Sequence, residues 1–143
     1  MPSLTRSLRV ALAALAVWAV ACGGPSEEPS LAEAAEALCA ASRSVDFTEG
    51  TWTNAEVREA LASLLDELRD IEVPEALRDY RSTQIEAVEA VVEVLRDADG
   101  DAVFVPSAGP FTLAYGDGFA RVSAVLSEEA AAALEAAGCE LGA

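Results

Sequence analysis

The chain has 143 residues, and 25 Asp plus Glu stand against 9 Lys plus Arg, giving a formal net charge of -16 with no histidine. That charge excludes a nucleic-acid binder held by basic phosphate contacts, and a hydrophobic share of 52% is too high for an intrinsically disordered chain. Zero His, one Met and three Cys leave few groups for transition-metal ligation or for acid–base chemistry near neutral pH, so neither enzymatic activity nor a cofactor is expected.

Residues 1–21 hold Arg6, Arg9 and no acid, and Val10 to Ala21 is an unbroken apolar run. A short positive segment before such a run reads as an export signal, because a membrane-spanning helix needs about 20 apolar residues. The run closes with Ala19-Val20-Ala21-Cys22, followed by Gly23-Gly24. Small residues ahead of a cysteine at this point resemble the lipobox of bacterial lipoproteins, although Ala19 stands where that family usually carries Leu. The resemblance covers only this amino-terminal segment and says nothing of the domain after it. It implies cleavage before Cys22, lipid on the Cys22 sulfur, palmitate included, and a mature protein anchored at the cell membrane or an outer membrane, outside the cytoplasm. In a cell with an outer membrane, Gly23 rather than the Asp that retains lipoproteins at the inner membrane implies outer-membrane sorting. An ordinary secretory signal cleaved after Ala21 fits the same residues and would leave Cys22 as a free thiol; either way the chain is exported.

The expected organisation is a signal over 1–21, a lipidated Cys22 with a flexible tether over 22–29, and a helical domain over 30–143. Removing the signal discards Arg6 and Arg9 and no acid, so 7 Arg remain against 25 acids, a net of -18. An anionic membrane surface repels such a domain over roughly 8–10 Å at physiological salt. Gly23 to Pro29 contains no apolar residue and two prolines, a solvated tether reaching at most about 25 Å.

Ser30 and Glu33 form a capping box that opens a helix ending near Ser42, with Leu31, Ala34, Ala35, Leu38 and Cys39 at helical spacing. A connection over 43–52 brings Phe47 and Trp52 against the bundle. Thr53 and Glu56 form a second box ahead of the stripe Val57, Leu61, Leu64, Leu65, Leu68 and Ile71. Pro74 breaks that helix and begins a third, carried to about Ala98 by Leu77, Tyr80, Ile85, Val88, Val92 and Leu95. Over 101–118 two readings compete: a hairpin pairing Val103–Val105 with Phe111–Tyr115, or a helix from Phe111 to Leu126 through Tyr115, Phe119 and Val122. The helix is preferred because a lone hairpin is marginal without a sheet, even though Gly116 and Gly118 each weaken it by about 1 kcal/mol. Ser127 caps a last helix running to about Ala137, stopped by Gly138.

The fold class expected is all-α, a small up-down bundle of four or five helices. With Cys22 lipidated, Cys39 and Cys139 are an even pair in an oxidising compartment and should join as a disulfide stapling the first helix to the last. Closing a loop of this size is worth about 4.7 kcal/mol by chain entropy. Two unpaired thiols would be the outcome in a reducing compartment.

Candidate sites are few. Asp97, Asp99 and Asp101 alternate like the first half of a calcium-binding loop, but Ala102 stands where the turn needs Gly and Ala108 where a bidentate Glu is required. They are weak metal candidates, and solvated acids at a helix end explain them as well. Asp79, Glu86, Glu89, Glu93 and Asp97 run down one face of the third helix. That stripe reads as a docking surface for a basic protein or peptide, or as an ordinary solvated face. Phe104, Phe111, Tyr115 and Phe119 are either core or the wall of a small-ligand groove. The function expected is a lipid-anchored, extracytoplasmic interaction or structural module with an acidic surface. The alternative is a lipoprotein binding a small ligand or a divalent cation.

Overall fold

The computed structural model describes residues 27–47, 49–106 and 109–139. The export signal, the lipobox cysteine and most of the tether lie outside these residues. Among the described residues five helices follow in order: α1 (Leu31–Arg43), α2 (Asn54–Asp70), α3 (Glu75–Arg96), α4 (Gly109–Ala124) and α5 (Glu128–Ala136). The protein is all-α; the pairing of Thr53 with Val103 is an isolated bridge.

Local chemistry sets the helix starts. In α1 the Ser30 hydroxyl accepts from the Glu33 amide and the Glu33 carboxylate accepts from Ser30, and Thr53 with Glu56 does the same for α2. Those hydrogen bonds hold both glutamates below the ordinary carboxylate range, through the Ser30 hydroxyl first at Glu33 and the Thr53 amide first at Glu56. Pro74 is the N-cap of α3, just outside the helix, and no side chain caps that end. Ser127 caps α5 by accepting from the Ala130 amide at 3.1 Å.

The contested segment is helical. Its buried edge, however, is not the aromatic one: Ala114 and Val122 pack against the core and Gly118 is buried between them, while Tyr115 is 62% and Phe119 41% exposed. The reason lies in α3. A Cβ placed on Gly118 would stand 2.7 Å from the Ala87 Cβ, so the two helices meet backbone to backbone and large rings fit only on the flanks.

Helix α3 is the centre of the bundle and touches the other four. It runs antiparallel to α2, since Arg58 near the start of α2 reaches the carbonyls of Leu95 and Arg96, and Arg81 near the start of α3 reaches that of Ile71. It runs antiparallel to α4 as well, with Gly118 against Ala87 and Arg121 paired to Glu86. The core gathers Leu38, Val57, Leu61, Leu68, Leu77, Tyr80, Val91, Leu95, Phe104 and Leu134, with alanines of α1 and α5 filling the remaining space. Burial raises the Tyr80 phenol above its ordinary value. Phe47 stacks edge-on against Trp52 at 5.5 Å and Phe104 at 5.6 Å, closing the core beside the 44–53 connection.

Cys39 and Cys139 form a disulfide, with Cα atoms 5.4 Å apart. The turn that delivers Cys139 is a Schellman motif: Gly138 has φ 81°, its amide bonds to the Glu135 carbonyl at 2.9 Å, and the Cys139 amide bonds to that of Leu134 at 2.9 Å. Positive φ at Gly138 folds the chain back over the end of α5, onto the buried face of α1.

Candidate interaction surface

The seven arginines that follow the signal are Arg43, Arg58, Arg69, Arg78, Arg81, Arg96 and Arg121. Every one of them is engaged within the chain. Three lie on helix carboxyl ends, where backbone carbonyls lack partners and the dipole is negative. Arg43 reaches Cys39 O at 3.3 Å and Ala137 O at 2.8 Å, thereby covering the ends of α1 and α5 together. Arg58 covers the end of α3 at 3.2 and 3.1 Å, and Arg81 covers that of α2. The other four hold carboxylates: Arg69 binds Asp66 and Glu89, Arg78 binds Glu28, Arg96 binds Glu93, and Arg121 binds Glu86. Acids outnumber them, so the charge left facing outward has one sign.

The acidic stripe of α3 is therefore divided. Glu89 ties α3 to α2 at 2.7 Å, Glu86 ties it to α4, and Glu93 pairs along its own helix. Asp79 and Asp97 have no ion pair among the described residues. These exposed pairs are each worth about 0–1 kcal/mol, so they orient side chains more than they stabilise the fold.

The loop with Asp97, Asp99 and Asp101 is built for a different task than the half-motif suggested. Its carbonyls turn toward the amino end of α2: Asn54 N donates to Ala102 O at 3.0 Å, Ala55 N to Gly100 O at 3.0 Å, and the Asn54 side-chain amide to Asp99 O at 2.8 Å. Asp99 Oδ1 accepts from the Asp101 amide at 3.1 Å. Three acids beside the negative end of α3 would by themselves be unfavourable. In space the loop is bonded to the positive end of α2, and Arg58 covers the α3 carbonyls beneath it. Among the described residues, no three His, Cys, Asp or Glu side chains converge as a metal site.

Phe104 does not share a groove with Tyr115 and Phe119. Phe104 is buried with Phe47 and Trp52, Tyr115 and Phe119 lie outward on α4, and the Phe111 side chain is outside the described residues. What α3 and α4 do form is an open groove of about 510 Å³ lined by Ala90, Val94, Ala114, Asp117, Gly118, Ala120 and Arg121. Its floor is small and apolar. Leu113, 71% exposed, stands one turn before Asp117 along α4. Sequence reading missed this groove, although the matched small residues Ala87, Ala90, Ala114 and Gly118 on neighbouring helices were the available signal.

The architecture defines an all-α protein with five helices among its described residues and a disulfide joining the segment after the last of them to the first. Comparison with protein-family models, with curated proteins and with solved structures yields no match for the chain. Among the described residues, no helix is long and apolar enough to cross a membrane.

Proposed function

We propose that the protein is an exported, lipid-anchored interaction module whose acidic helical surface engages a basic protein or peptide partner outside the cytoplasm. One observation carries this reading: every arginine of the domain is tied down internally, while most acids are not, so a partner meets charge of one sign. Such a field accelerates encounter with basic partners and weakens as salt rises. Anchorage through Cys22 would hold the domain at a surface that its own charge opposes, presenting it outward.

Two experiments test the two halves. Cys22→Ser protein should leave the membrane fraction and change apparent mass; persistence in that fraction at unchanged mass refutes the anchor. Affinity capture on the anchored protein should retain a basic partner at low salt and release it at high salt. Retention indifferent to salt refutes a charge-led encounter.

A further inference from the structure

Resting on that reading, we infer that the α3/α4 groove is the docking site itself and that its occupant is a basic amphipathic helix. Three features meet there. The floor of Ala90, Val94, Ala114 and Gly118 is apolar and nearly without side-chain relief, so a helix can lie close to both backbones. On the α3 side Asp97, without an ion pair among the described residues, lies at helical spacing from Ala90, and Asp117 lines the α4 side. Arg121, the cation among the lining residues, is committed to Glu86 and closes one end. An apolar ridge would seat on the alanines and Leu113 while lysines or arginines on both flanks of the ridge reach Asp97 and Asp117. A second copy of this chain is a poor occupant, because it brings the same negative charge to the contact.

The test uses the chain from residue 22 on, carrying Cys22→Ser, which contains every described residue. The probe is a labelled peptide of about 18 residues made of Leu, Ala and Lys, with apolar residues at i, i+3, i+4 and i+7. A scrambled peptide of the same composition is the control, and fluorescence anisotropy reads binding at about 50 and 300 mM salt. The periodic peptide should bind about tenfold tighter than the scrambled one. Ala90→Gln with Ala120→Gln, both at exposed positions, fills the groove without altering charge and should erase that advantage at unchanged thermal stability. Equal, salt-sensitive binding of both peptides overturns the groove and leaves the acidic-surface reading in place. Failure of both peptides to bind at low salt overturns the two together.

Discussion

Two glycines in one helix should respond to the same substitution with opposite sign. Gly116 and Gly118 both lie inside α4, and replacing either by Ala gains about 1 kcal/mol of helix propensity. At Gly116 a new Cβ meets nothing within 4 Å, so the gain is undiminished. At Gly118 it would stand 2.7 Å from the Ala87 Cβ and 3.4 Å from the Ala87 Cα, where ordinary carbon contacts begin near 3.5 Å. Helices α3 and α4 would have to separate, at a cost of about 1–3 kcal/mol. Gly116→Ala should therefore raise the unfolding free energy by about 1 kcal/mol, and Gly118→Ala should lower it by about 0–2 kcal/mol. The propensity gain is common to both, so the difference isolates the contact. Thermal unfolding reads it at about 4 °C per kcal/mol. Ala87→Gly removes the opposing Cβ at about 1 kcal/mol of helix propensity, so it should cost less in the Gly118→Ala background than in the native chain. Equal stabilisation by both glycine substitutions would refute the backbone contact between α3 and α4.

Reduction of the disulfide, or Cys39→Ser with Cys139→Ser, should lower the unfolding free energy by about 2–4 kcal/mol in a denaturant titration; no response to reductant would mean the cysteines are not joined. Arg58→Met retains the stem but uncovers the Arg96 carbonyl and leaves that of Leu95 with backbone donors alone, and should destabilise by about 1 kcal/mol in urea. Arg69→Met, which breaks only exposed ion pairs, should cost under about 1 kcal/mol in the same assay. Tyr80 is raised by burial in the folded state, so its contribution is complete below about pH 10 and is lost as pH climbs past that value. The fall in melting temperature between pH 8 and pH 11 should accordingly be smaller in Tyr80→Phe, and an identical fall would show that the Tyr80 phenol titrates alike in the folded and unfolded chain, refuting the shift by burial.

The helix starts were legible because their causes are local. Ser30 with Glu33, Thr53 with Glu56, and Ser127 are side chains bonding amides three residues away, and the stripe of α2 is buried as its spacing requires. The face of α4 was not legible by the same rule. Periodicity assigned Tyr115 and Phe119 inward on the premise that large apolar residues are the buried ones. In this helix the partner's Ala87 makes smallness the requirement, and Gly118 meets it. The acidic stripe shared that difficulty: spacing placed Glu86, Glu89 and Glu93 together, but only the positions of Arg69, Arg121 and Arg96 reveal that they bind in three directions. Arg58 and Arg81 offered a readable hint, since both lie toward the amino ends of their own helices, where a cation gains nothing from its own dipole.

The link between Cys39 and Cys139 also decides how the domain responds to pulling. Tension applied from the amino end enters at Ser30 and can peel only the residues ahead of Cys39 before it reaches a covalent bond. Those nine or so residues yield about 30 Å of slack when extended. Past that point the chain behaves as a closed ring of helices, and the load passes directly to α5 through the turn at Gly138. A partner seated between α3 and α4 would thus rest inside that ring, beyond the segment that a tug from the amino end peels first.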